Sequence, residues 1–314
     1  MKTSLVAGGS GFIGSHLCEY LLGKGERVIA VDNMGSGRKD NVAGLLGNDN
    51  FSLIEHDIRE PLQIDGKVDC VYNLASRASP VDFACHPMEI LMTNSVGVDH
   101  LINLTLTHRA RFLMASTSET YGDPEISPQP ETYWGHVNPI GPRSCYDESK
   151  RFSEALTMAY VRSQGLNGCV IRIFNTYGPR MRLDDGRVVP NFVTQALAGK
   201  PMTVYGDGGQ TRSFCYVSDL VRGIYLMMNG NTKGEVVNLG NPTEMTVLEF
   251  AKKIKAITGS PSEIVFKPLP QDDPMQRRPD IGKAIRLLGW EPEVGLDQGL
   301  KQTIGWFKMN MDRV

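Results

Sequence analysis

The sequence predicts an α/β fold: a doubly wound parallel sheet with a smaller, discontinuous C-terminal lobe. Three observations carry this expectation. Six short runs rich in Val, Ile and Leu alternate with helix-length segments, a glycine-spaced turn joins the first run to the first helix, and beyond about residue 177 the alternation dissolves into Gly/Pro-punctuated stretches. Strands that are apolar at every position, not at every second one, must be covered on both faces, as in a parallel sheet flanked by helices.

The elements follow in order. "TSLVAGG" opens the sheet and Ser15 to Leu22 forms the first helix. "ERVIAVDN", "FSLIEHDI" and "DCVYNLA" supply the next three strands, "RFLMAST" the fifth and "GCVIRIFN" the sixth, with a long helix from Asp147 to Arg162 between the last two. Residues 1–176 are therefore assigned to a dinucleotide-binding domain, to which the chain returns near 213–240, and residues 177–314 mainly to the second lobe. The 33 basic and 35 acidic side chains leave a formal charge of -2, so no basic footprint for nucleic acid exists. Six cysteines lack any C-x-x-C or Cys/His spacing, so no metal is expected and the thiols read as reduced and mostly buried. No apolar run approaches membrane-spanning length, and a soluble, cytoplasmic protein with no membrane partner is the expectation.

Chemistry begins at "VAGGSGFIGSHL", where Gly8, Gly11 and Gly14 are spaced three apart between strand and helix. Backbone N–H groups of such a turn can meet a pyrophosphate, provided no Cβ holds the phosphates away. The second strand ends in Asp32, where a carboxylate accepts hydrogen bonds from the adenosine ribose and favours NAD over NADP; Arg38 and Lys39 nearby offer either a site for a 2′-phosphate or a solvated turn. Asp57 and Ile58 in "HDIRE" are placed beside the adenine edge, and "YNLAS", with Leu74 and Ala75, under the phosphates and ribose. In "CYDESKRFSEA", Tyr146 and Lys150 stand one helical turn apart, so the ammonium is expected to lower the phenol pKa and to hold the cofactor ribose. Thr117, at the end of the fifth strand in "STSE", completes a hydride-transfer site.

Together, the glycine triplet, Asp32, "HDI", "STSE", Tyr146, Lys150 and "RIFNTYGPRM" resemble the extended short-chain dehydrogenases/reductases, a Rossmann-type family, and specifically its sugar-nucleotide-modifying members. "RASPVDF", "TSETYGDPEISPQPETYWGHVNPIGPRSCYDESKR", "DDGRVVPNF", "VYGDGGQTRSF" and "RRPDI" look like the UDP-glucuronate decarboxylases, which make UDP-xylose. The resemblance implies NAD held by Gly8, Gly11, Phe12, Ile13, Gly14, Asp32, Asn33, Asp57, Ile58, Leu74, Ala75, Tyr146 and Lys150. It implies a UDP-uronate substrate met by Asn175, Tyr205, Arg212 and Arg277, with Arg277 facing the sugar carboxylate and also counted among the catalytic residues, since an arginine fork bonds two oxygens at once. It also implies a homodimer through helices near 87–106 and 146–163.

The triplet after Ser116 bears on the reaction. Related dTDP-glucose dehydratases carry Thr-Asp-Glu, the aspartate serving as acid for water elimination; here Ser118 takes that place, and Glu119 remains as candidate acid/base. Loss of carbon dioxide from a 4-keto uronate needs no such acid. GDP-mannose dehydratases share Thr-Ser-Glu, so a 4,6-dehydratase or 4-epimerase stays open, as does a non-catalytic NAD-binding sensor, which would have lost the Tyr/Lys pair. Arg77 departs from the decarboxylase pattern by standing where those enzymes have proline. Arg180 and Arg187 read as rim charges, His136 as structural, and Tyr133 with Trp134 as loop packing.

Overall fold

A computed structural model describes residues 1–269 and 275–311. The six expected strands form as β1 (Thr3–Ala7), β2 (Arg27–Asp32), β3 (Phe51–Glu55), β4 (Cys70–Asn73), β5 (Arg111–Thr117) and β6 (Asn167–Ile173), and a seventh, β7 (Val236–Leu239), joins them. All pair in parallel in the order β3-β2-β1-β4-β5-β6-β7. The main helices are α1 (Phe12–Gly23), α2 (Val96–His108), α3 (Ser144–Gln164) and α4 (Val217–Asn229).

The continuous apolar runs have the expected cause. In β5, Phe112 and Met114 join a core with Val98, Leu101 and Val170, whereas Leu113 and Ala115 join the opposite one with Leu17, Leu21 and Ile224. Each such side chain, fully buried, contributes roughly 1.5–3 kcal/mol. Chain order reverses between β1 and β4, which are hydrogen-bonded neighbours with Ala7 opposite Asn73. A doubly wound sheet opens a crevice at that point, beyond the carboxyl ends of its strands.

The C-terminal lobe is built from short excursions: Met202–Tyr205 pairs with Ile264–Lys267, and Thr211–Ser213 lies between Glu244–Thr246 and Gln276–Arg277. Phe214 stacks on Phe250 with ring centroids 4.1 Å apart, and Phe192 closes the group. This packing is continuous with the sheet core beneath α1 and α4. Trp290, fully buried, donates from Nε1 to the Asp219 carbonyl at 2.8 Å and so ties the last segments to α4. Among the described residues no helix is long and apolar enough to cross a membrane.

Candidate active site

The cleft at the switch point is lined by the glycine turn, the ends of β4, β5 and β6, the start of α3 and the segment 180–187. Gly8 needs its left-handed backbone (φ +78°), and a Cβ there would lie 2.9 Å from the Leu74 carbonyl. A Cβ on Gly14 would be driven into the Gly8 carbonyl oxygen. Helix α1 therefore starts flush against β1 and β4, with no side chain capping its first N–H groups. This floor suits a pyrophosphate.

A second chamber adjoins it, with Gly8, Gly11, Ser36, Leu74 and Ser76 common to both, and is walled by Asp32, Asn33, Asp57, Ile58 and Ala75. Asp32 accepts from Ser10 N and Met34 N, each at 2.9 Å. Burial nonetheless raises its pKa above the ordinary value, against those amide bonds. A buried carboxylate with oxygens facing the chamber fits a ribose diol and repels a 2′-phosphate. Asp57 is more committed than the sequence implied: Arg59 Nη2 at 2.7 Å and Asn33 Nδ2 at 2.8 Å hold it, and the Arg59 hydrogen bond is the main reason its pKa is depressed. The cradle fits a dinucleotide.

At the other end of the cleft stand Thr117, Ser118, Glu119, Tyr146 and Lys150, with Asn175 across from them. Phe83 stacks on Tyr146 at 4.9 Å between centroids, which fixes the ring. The expectation that Lys150 lowers the Tyr146 pKa is not met. Burial pushes the phenol up, and its hydrogen bond with Thr117 only partly offsets this. Lys150 is itself buried, donates from Nζ to the Ala115 carbonyl at 3.0 Å, and is lowered to about 7 by desolvation. An ammonium so desolvated supplies little charge to its neighbour.

Glu119 also differs from its expected part as proton donor. Arg277 grips both carboxylate oxygens, and Arg143 Nη2 donates to Oε2 at 2.7 Å. Burial would raise Glu119, but the two guanidiniums outweigh it and hold the carboxyl well below the usual range. Asp147 shares the cluster: its Oδ2 is 4.0 Å from Arg143 Nε and its Oδ1 has no hydrogen-bond partner among the described residues. Burial, and then the Glu119 charge, raise Asp147 to about 7.

The structure does not bring every expected substrate residue to the cleft wall. Arg277 is 3% exposed and its guanidinium is engaged by Glu119, so it stands behind the lining and does not project into it. Arg212, its register partner on the neighbouring strand, is buried and donates to the Thr211 carbonyl at 2.8 Å. Tyr205 ends the Met202–Tyr205 strand at the surface, away from the lining residues. Arg187 moves the other way. Read as a rim charge, it lines the cleft, is held by Asp185, and its charge acts on Tyr146. Tyr133 packs on Tyr121, while Trp134 is left in solvent.

Sequence reasoning passed over Arg143 and Asp147. Their only signal was a four-residue spacing across the helix start, which by itself denotes an ordinary surface pair. It also passed over Ser79 and Asp82. Ser79 caps the Pro80–Cys85 helix and donates to the Asp185 carbonyl, and Asp82 meets Arg182 Nη1 at 3.0 Å, so segment 180–187 is fastened across the cleft mouth. Arg77, at the expected proline position, binds Glu89 at 2.8 Å and lines the second chamber.

Comparison with known proteins adds to this geometry. UDP-glucuronic acid decarboxylase 1 of Danio rerio is 53% identical over 311 residues, covering 99% of this chain and 74% of that protein. UDP-glucuronic acid decarboxylase 4 of Arabidopsis thaliana is 52% identical over 307 residues, 98% of this chain and 69% of the relative. Among solved structures, UDP-glucuronic acid 4-epimerase from Bacillus cereus, in complex with UDP-glucuronic acid and NAD, superposes with a TM-score of 0.88 at 28% identity, covering 98% of this chain and 99% of that one. Residues 5–303 match the family described as GDP-mannose 4,6 dehydratase. With its glycine floor, its buried Asp32 and its Thr117, Tyr146 and Lys150 gathered at one end of the crevice, the chain belongs to that family of extended short-chain dehydrogenases/reductases.

Proposed function

We propose that this protein decarboxylates UDP-glucuronate to UDP-xylose through a 4-keto sugar, with NAD regenerated within each turnover. The observation that carries the reading is the wall made by Thr117, Ser118, Tyr146 and Lys150: it holds groups for oxidising an alcohol and, in Ser118, no acid fit to expel water. Identity above 50% with decarboxylases along nearly the whole chain supports the same substrate.

The glycine floor and Asp32 bind NAD, which when bound supplies the hydride acceptor and a positive charge beside Tyr146. Tyr146 takes the proton of the C4 hydroxyl, with Thr117 hydrogen-bonded to the phenol and orienting it. Lys150, anchored on the Ala115 carbonyl, is placed for the cofactor ribose. A C4 carbonyl makes the C5 carboxylate β to a ketone, so carbon dioxide can leave with its electron pair delocalised onto oxygen. Glu119, held ionised, orients a water that protonates C5 and does not give up a proton itself. Asn175 is placed for the diphosphate side, and Arg212, Tyr205 and Arg277 act from the C-terminal lobe. Arg277 reaches a sugar carboxylate only by sharing or leaving Glu119.

The protein is further proposed to be a cytoplasmic homodimer. Free, mostly buried cysteines support a reducing compartment. Exposed Met88 and Met92 on the Pro87–Thr93 helix, and Phe152 on α3, support the dimer.

The test is direct: incubate the purified protein with UDP-glucuronate and catalytic NAD, and follow carbon dioxide and product mass. Carbon dioxide with a UDP-pentose is the expected result. An unchanged uronate, or a C4 epimer without gas release, would overturn the reading and favour the epimerase or dehydratase alternatives.

A further inference from the structure

Behind the cleft wall lies a buried group of four charges. Glu119 comes from the turn after β5, Arg143 and Asp147 from the start of α3, and Arg277 from the Gln276–Arg277 strand. Asp147 is 6% exposed and Arg277 3%. Two guanidiniums face two carboxylates, so the group is neutral when both acids are ionised. A uronate adds a third carboxylate. In a poorly solvated pocket, an unbalanced negative charge is costly, and the usual relief is for one acid to take a proton.

We infer that Asp147 is the specificity-determining group that admits a sugar carboxylate: it takes up one proton from solvent when a uronate binds beside Arg277, and stays ionisable when the sugar is neutral. The inference rests on the uronate reading and goes beyond it.

Geometry singles out Asp147. Glu119 is gripped by Arg277 at both oxygens and by Arg143, so protonating it would break charge-assisted bonds. Asp147 has one oxygen without a partner among the described residues and the other 4.0 Å from Arg143 Nε, beyond hydrogen-bond length. Its protonation therefore sacrifices least. The charges acting on it are those of Glu119, Arg143 and Arg277, together with Glu148 from its own helix; the last raises it and the two arginines lower it. Its neighbours Cys145 and Tyr146 are both raised by its charge. The Pro80–Cys85 helix offers the ring of Phe83, under Arg143 and against Tyr146, while its Asp82 is paired with Arg77 and Arg182. From segment 180–187, Arg187 is paired with Asp185. The raised affinity of Asp147 for a proton, already present without substrate, agrees with this role.

Acting through Arg143 and Glu119, Asp147 is a positioning residue, and proton linkage reveals it. In the NAD-bound Tyr146→Phe protein, which binds without turnover, calorimetry in two buffers of different ionisation heat counts the protons. At about pH 8, UDP-glucuronate should bring uptake approaching one proton, and UDP-glucose none. A group whose pKa rises on binding makes affinity fall as pH climbs past its free value, so uronate affinity should drop by up to about tenfold per pH unit above roughly pH 7 while UDP-glucose affinity stays level. Adding Asp147→Asn should abolish both the uptake and the slope. Zero uptake with the uronate, or uptake that survives Asp147→Asn, overturns the inference. The comparison of the two sugars needs no Asp147 variant, so poor folding of that variant cannot rescue it. Carbon dioxide release by the unmodified protein with zero uptake would sink this inference alone; failure to bind or turn over UDP-glucuronate would sink it together with the proposed function.

Discussion

Tyr146 shows how burial reverses a rule read from spacing. Four residues on a helix do bring Lys150 to the same face, with Nζ 5.9 Å from the phenol ring centroid. In water the cation would favour phenolate; here both groups are desolvated, so each moves toward its neutral form. Thr117 then matters more than Lys150 for the phenol, because its hydrogen bond is the largest influence opposing burial. Tyr146→Phe is expected to cut turnover by about 10²–10⁴-fold while leaving NAD affinity within a few-fold, as measured by steady-state kinetics and fluorescence titration. Unchanged turnover would remove Tyr146 as the base. Glu119 and Arg277 illustrate the limit of reading one residue at a time. Each was legible as functional, but their mutual grip was not, since 158 positions separate them.

At the scale of elements, the glycine turn and the strand ends were readable because their constraints are local. A Cβ at Gly14 meets the Gly8 carbonyl of the same loop, so the spacing states its own reason. Gly14→Ala should therefore push α1 away from β1, lowering stability by about 1–3 kcal/mol in denaturant unfolding and weakening NAD more than any loss of fold explains. Wild-type NAD affinity in that variant would show that the close approach has no functional part. Segment 180–187 was not readable in this way. Its arginines look like rim charges until Ser79 and Asp82, a hundred residues earlier, are seen to fasten it across the cleft.

For the whole molecule, the apolar side chains left outside bear on assembly. Phe152 is 49% exposed on a helix whose opposite face is fully buried, and Met88 and Met92 lie exposed on the short helix beside it. Light scattering should give a mass about twice 34.6 kDa, and Phe152→Glu should shift the protein toward monomer. A wild-type monomer would remove the proposed dimer.

The seven-stranded order and the crevice follow from pattern alone, because strand burial on two faces and tight strand-to-helix turns are written in neighbouring residues. Asp32, Thr117, Tyr146 and Lys150 could be placed for the same reason: each sits at the end or start of an element whose direction the pattern reveals. The protonation states of the site came only with the tertiary structure. Arg143, Asp147, Glu119 and Arg277 come from three separate parts of the chain, and their charges are settled by distance and desolvation inside the fold, which no spacing along the chain encodes.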